Sequence, residues 1–196
     1  MMKKCKAFIP VFIAVILFFL GYSCSANEFS DSEKLDLFTI RNITNNIDYE
    51  IQDARKYESF SKIAFLNFFE HYEYTFDSTK NREGGPYLYI KSILQKFTTV
   101  FEAKKEALIQ NNVYTITFKI IGGKKMSLKR DNSFFTLGDD NYHSYIMYNG
   151  SVVGNIVTTR VGRRVLIFTV GGLVFDRNLL EKCAGETIKN LRAVSN

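Results

Sequence analysis

The chain has 196 residues, of which 46% are hydrophobic, 15% aromatic and 23% charged, a composition that excludes a disordered tail or a coiled coil and fits one globular core. Its 26 Lys and Arg outnumber 20 Asp and Glu, but Lys3, Lys4 and Lys6 precede the first apolar run, so the chain after Ser23 keeps 23 bases against the same 20 acids, too small an excess for a nucleic-acid partner. Three cysteines, two histidines and no tryptophan leave few groups for metal or nucleophile chemistry, so no metal site, cofactor or catalytic activity is expected.

Residues 1–23 have the two-part build of a signal peptide: a cationic start, then a run from Ala7 to Gly21 without charge. A membrane-spanning helix needs ~20 apolar residues, and Pro10 disturbs the backbone near the start of this shorter run. The segment Leu20-Gly21-Tyr22-Ser23-Cys24 resembles the lipobox of spirochaete-type bacterial lipoproteins, where a small residue precedes a cysteine that is lipidated and becomes the mature N-terminus. Two features depart from the usual pattern: Tyr22 is bulky, and the leucine lies four residues before the cysteine. The resemblance implies a diacylglycerol anchor with palmitate on Cys24 and attachment to a bacterial envelope membrane. It covers the first 24 residues and does not bear on the fold. Cleavage near Ala26, giving a periplasmic or secreted protein, and a single uncleaved N-terminal transmembrane anchor are the alternative readings. Residues 24–33 then form the lipidated cysteine and a polar tether, and 34–196 a single α+β domain. With Cys5 removed, only Cys24 and Cys183 remain, and Cys183 reads as a small core residue that needs no disulfide.

Ser30-Asp31-Ser32-Glu33 has the spacing of a capping box. Leu37, Ile40, Ile43, Ile47, Ile51 and Ala54 then recur at steps of three or four, predicting a helix. Dense aromatics from Glu58 onward predict a buried helix to about Phe69, while Tyr72, Tyr74 and Phe76 fit either a helical step or a strand alternation. His71 has no second histidine or cysteine at ligand spacing and reads as structural. After the loop at Gly84-Gly85-Pro86, the residues Ile90, Leu94, Phe97, Phe101 and Leu108 predict a helix over 87–110. Such a run could lie on a membrane, but Glu102 and Glu106 on its polar side favour core packing.

The remainder reads as strands at 113–121, 126–129, 133–137, 142–148, 152–161 and 164–170, punctuated by Gly122-Gly123, Gly138, Asn149-Gly150 and Gly162. Asp176 is placed to cap a last helix whose Leu179, Leu180, Cys183, Ile188 and Leu191 would cover one sheet face. The predicted fold is α+β, with N-terminal helices packed on an antiparallel β-meander and a C-terminal helix. The closing order of two strands, a short loop and a terminal helix looks like the end of PsbP-like α/β sandwiches.

Strand parity supplies the candidate site. If Asp131-Asn132 is a true turn, the count of reversals brings Lys124, Lys125, Arg160, Arg163 and Arg164 to one end of the sheet, beside Asp139 and Asp140; if it is only a bulge, the arginines move to the opposite end. Gathered, the five cations would contact an anionic lipid or an acidic envelope protein. Asp139, Asp140 and His143 are close enough in sequence to be considered as acid, base or ligand, yet Asp-Asp-Asn after a glycine is also what a turn demands. No nucleophile elbow, phosphate loop or paired-cysteine motif occurs. The expected function is that of a membrane-anchored envelope lipoprotein, partnered with its membrane and acting as an interaction or structural protein. The alternative is a small-ligand-binding domain with an apolar pocket between helices and sheet, lined by Phe65, Phe69 and Tyr148.

Overall fold

The computed structural model describes residues 29–35, 54–63, 69–78, 88–122 and 125–194. The leader, Cys24, Lys124 and most of the first predicted helix lie outside the described residues. Seven strands form one antiparallel sheet: β1 (Ala54–Ile63), β2 (Phe69–Ser78), β3 (Tyr89–Phe97), β4 (Met126–Arg130), β5 (Asp140–Tyr148), β6 (Ser151–Val161) and β7 (Arg164–Gly171), in the spatial order β1-β2-β3-β7-β6-β5-β4. Helix α1 (Val100–Gly122) carries the chain from β3 to the far edge at β4, and α2 (Arg177–Ala193) closes it. The α+β class stands, but 54–63, 69–78 and 89–97 are strands where helices were expected to about Phe69 and over 87–110, of which only the part from Val100 is helical; most of the first predicted helix lies outside the described residues.

The reason for the misreading is clearest in β3, which lies inside the sheet between β2 and β7. Ile90 and Leu94 enter one apolar core, while Ile93 and Phe97 enter another. A strand buried on both faces loses its polar alternation, and its apolar positions then imitate a helical step. In β2, Tyr72, Tyr74 and Phe76 all point into the first core, which resolves that segment in favour of the alternation.

The two cores lie on opposite faces, so the architecture is three-layered. Leu180, Cys183, Ala184, Ile188 and Leu191 of α2 pack on one face with Leu166, Phe168 and Val170 of β7. Ala103 and Ala107 of α1 pack on the other, over Ile93, Phe97, Val165 and Ile167. Asp176 caps α2 as expected, accepting the Leu179 N–H at 2.8 Å. α1 has a box of its own: Thr99 Oγ1 accepts the Glu102 N–H at 3.1 Å, and the Glu102 carboxylate accepts the Thr99 N–H at 3.0 Å. The helix continues through 113–121, where a strand was expected; the β-branched residues there follow their tertiary setting rather than their propensity.

Residues 29–35 form a turn on the α2 side that buries Phe29 and Leu35 in the first core. Only half of the expected capping box forms: Ser30 N–H donates to the Glu33 carboxylate at 3.1 Å, but the Glu33 N–H goes to the Ser30 backbone carbonyl at 3.1 Å rather than to its hydroxyl, and the segment is a turn, not a helix start. Thr187 and Asn190 of α2 donate to the Lys34 and Ser32 carbonyls, both at 3.0 Å.

The turn at Asp131 is real, but residues 133–137 are not a strand. Phe134 N–H donates to the Asp131 carbonyl at 3.1 Å, and Ser133 donates its N–H and hydroxyl to the Asp131 carboxylate at 3.2 and 2.7 Å. The chain then runs irregularly to β5 with Phe135 fully buried. That burial contributes roughly 1.5–3 kcal/mol, enough to hold an irregular loop against the core without a sheet ladder. Two-residue hairpins follow: Asn149 and Gly150 both have positive φ, as a type I′ turn requires, and Gly162 alone does so in the β6–β7 turn, the pattern of type II′.

Candidate functional site: cations, buried histidine and a polar sheet face

Because residues 131–139 make a single reversal, the expected five-cation patch does not assemble. Asn149 N–H donates to the Lys125 carbonyl at 2.9 Å, which puts Lys125 at the β5–β6 hairpin end. Arg160, Arg163 and Arg164 sit at the β6–β7 turn, at the other end, with Asp139 and Asp140.

Two of the three arginines there are spent within the fold. Arg160 is buried; its Nε donates to Asp140, and its Nη1 donates to Asp139 at 3.1 Å and to the Gly162 carbonyl at 2.8 Å. Asp139 also accepts the Gly162 N–H at 2.9 Å, so the pair of acids clamps the turn. Arg164, likewise buried, donates through Nε and Nη2 to Oε1 of Glu33 at 2.9 and 2.8 Å. Arg163 is exposed and reaches the Thr98 carbonyl at 3.4 Å. A guanidinium held by carboxylates inside the protein has little field left for a partner, so Arg160 and Arg164 read as structural.

The sequence cluster Asp139, Asp140, His143 also comes apart. Both acids belong to Arg160, while His143 is fully buried on the α2 side, stacked on Phe134 with 4.2 Å between ring centroids. Its Nδ1 lies 3.2 Å from the Asp131 carbonyl and its Nε2 3.2 Å from Asn155 Nδ2. Burial pushes its pKa below the usual histidine value, opposed by the Asp131 carbonyl and carboxylate. A neutral ring bonded at both nitrogens has no lone pair or proton to offer a substrate.

A different cluster occupies the face of β2 and β3 on the α1 side. Glu73 takes Lys91 Nζ at 3.0 Å and the Thr75 hydroxyl at 3.3 Å, and lies 3.5 Å from His71 Nε2. Gln95 Nε2 is 3.4 Å from His71 Nδ1. Burial lowers the His71 pKa despite the Glu73 carboxylate, and Lys91 adds to the lowering. Tyr114 of α1 borders this region; burial raises its phenol pKa, while Thr169 lowers it without completing a hydrogen bond of full geometry. Gln95 is only 5% exposed, and its Oε1 has no hydrogen-bond partner among the described residues. The alternation of His71, Glu73 and Thr75 against Tyr72, Tyr74 and Phe76 could have signalled this face, but Lys91 and Gln95 were hidden inside a segment read as a helix.

The apolar pocket expected from Phe65, Phe69 and Tyr148 has no common ground. Residue 65 lies outside the described residues. Position 69 pairs with Phe97 at one end of the sheet, and Tyr148 is exposed at the other end, with β3, β7 and β6 between their strands. Among the described residues, no group of three or more His, Cys, Asp or Glu could hold a metal ion, and no helix is long and apolar enough to cross a membrane. No protein-family model, curated protein or solved structure matches the chain, so neither the lipoprotein-like leader nor the PsbP-like ending gains a named relative.

Proposed function

We propose that the chain is a bacterial envelope lipoprotein, anchored through lipid on Cys24, that works as an interaction or structural protein. The observation that supports this most is where the first described segment lies. Phe29 is 3% exposed in the first core, five residues after the cysteine of the lipobox-like segment, so cleavage before Cys24 removes nothing from the described fold. Asp139, Asp140, Arg160, Glu33, Arg164 and His143 are tied into structural contacts, which suits a binding surface better than acid–base chemistry. Mass spectrometry of the mature N-terminus tests the anchor: acylated Cys24 is expected, whereas a free Asn27 or an intact Met1 replaces the lipid anchor with secretion or a transmembrane segment.

A second reading rests on Gln95. An unpaired buried acceptor beside Glu73 and Lys91 favours a polar small ligand on the β2–β3 face rather than an apolar one. A thermal-shift survey of sugars and amino acids tests it: a stabilising compound whose effect disappears in Gln95→Leu supports this reading, and no stabilisation by either class removes it.

A further inference from the structure

We infer that the outward face of α1 lies on a lipid bilayer with anionic headgroups, the same membrane that holds the Cys24 anchor; the identity of that membrane rests on the lipoprotein reading. A surface helix normally turns its large apolar residues to the core. Over its first four turns α1 directs mostly small or polar residues inward: Ala103, Ala107 and Asn111 are buried and Tyr114 half-buried, at steps of four, four and three. On the opposite side Ile109, Val113, Ile116 and Ile120, again at steps of four, three and four, are exposed, and Phe101 and Leu108 extend the stripe toward the helix start. Phe101 is 76% exposed, Ile116 58% and Ile120 75%. Large apolar residues exposed in this number along one side of a helix mark a contact with protein or membrane.

Charge selects between those two. Lys104 and Lys105 are exposed and make no ion pair among the described residues, and Arg130 on the neighbouring edge strand donates to Asn112 of α1 at 3.0 Å. These cations border the stripe, where long basic side chains can reach headgroup phosphates while their methylenes stay in the apolar zone. The acids that suggested core packing are engaged within the helix: Glu102 by Thr99, and Glu106 by Gln110.

Glu33 holds Arg164, while the adjacent Arg163 reaches Thr98 at the start of α1, so the segment 29–35 and the first turn of α1 lie at one end of the sheet, on its opposite faces. Residues 24–28, which link that segment to Cys24, span at most about 18 Å.

The chain has no tryptophan, so Ile116→Trp gives a single fluorophore on the stripe, and Val174→Trp, exposed in the β7–α2 connection, serves as the control. Each mature protein is purified from its producing membranes and reconstituted into vesicles of phosphatidylcholine and phosphatidylglycerol with brominated acyl chains. The expected result is blue-shifted emission from the Ile116→Trp protein, quenched about twofold by the brominated lipid, with emission from the Val174→Trp protein unaffected. Ile120→Trp should behave as Ile116→Trp does and guards against a local folding defect. A blue shift without quenching in either stripe variant identifies a protein contact, such as a second copy, and overturns the inference, as does emission at the wavelength of exposed tryptophan. Flotation with the vesicles and the mass of the N-terminal peptide are scored separately, so loss of the anchor reading is distinguished from failure of the α1 contact.

Discussion

Asn155 fixes the protonation of His143. The Asn155 carbonyl oxygen accepts the Phe175 N–H at 2.7 Å, so the other end of its amide must be the donor that lies 3.2 Å from His143 Nε2. Nε2 therefore accepts, and the ring proton sits on Nδ1, facing the Asp131 carbonyl. A backbone N–H at the entry to α2 thus sets the tautomer of a side chain on β5.

The first prediction concerns pH. His143 has a folded pKa below its ordinary value of 6.5 because of burial, so the folded state resists its protonation. Its contribution to stability is complete above about pH 6.5 and is lost as pH falls from there toward the folded pKa. His71, also lowered, acts in the same direction. The melting temperature should fall between pH 6.5 and 5, and His143→Gln should flatten that fall while lowering the plateau at pH 7.5. An unchanged slope in the variant would remove His143 from the effect.

Asn155→Ala should be among the more damaging single substitutions. It leaves the Phe175 N–H without its acceptor and His143 Nε2 without its donor, both in buried surroundings. At 1–3 kcal/mol for each unsatisfied group, the loss should be about 2–6 kcal/mol, read from the urea midpoint. Asn155→Asp keeps the acceptor but sets a carboxylate against a lone pair, and should recover stability only when His143 is protonated.

Glu33 and Arg164 offer a third test. Their side chains are 8% and 6% exposed, so Glu33→Leu leaves a buried guanidinium without its carboxylate and should cost about 3–5 kcal/mol. Combining it with Arg164→Met should restore most of that loss, since a packed apolar pair can replace a buried ion pair at little net cost. Equal and additive losses from the two single changes would contradict the pairing.

Two glycines should respond very differently to alanine. An added Cβ at Gly154 would overlap the Val170 carbonyl oxygen and approach Gly171 Cα, both backbone atoms of the neighbouring strand. Gly154→Ala must part β6 from β7 and should unfold the protein or cost upward of about 3 kcal/mol. At Gly150 nothing lies within 4 Å, and only the positive φ opposes a side chain. Gly150→Ala should therefore cost about 1–2 kcal/mol, and Gly150→Asn less. Comparing thermal midpoints of these variants checks the assignment.

The C-terminal half was the legible half of the chain. β4 to β7 each fall within a residue or two of the expected span, because their turns carry glycine or Asn-Gly at the positions that need positive φ. Asp176 marked the start of α2 for an equally local reason. The N-terminal half failed where burial was not one-sided. β3 is apolar on both faces, and α1 is apolar both toward the sheet and away from it, so neither shows the period of its own structure. The Thr99-to-Glu102 spacing was the available clue to the boundary between them. For the site, the grouping of Arg160, Arg163 and Arg164 with two acids followed from the β6–β7 turn. Residues 133–137 have a strand-like pattern but form no strand, so the reversal that would bring Lys125 to the arginines does not exist.

The first described segment, 29–35, makes hydrogen bonds to the back of the chain. Glu33 meets Arg164, Lys34 meets Thr187 and Ser32 meets Asn190 across 131, 153 and 158 positions of sequence. Residues 29–35 are synthesised early, yet these three partners do not exist until β7 and the last helix have followed. The contacts are therefore the last to close, and the span of loop they must close makes that step slow. Until the C-terminus is released, Phe29 and Leu35 lack the cover of α2, an interval in which a chaperone or protease would find them.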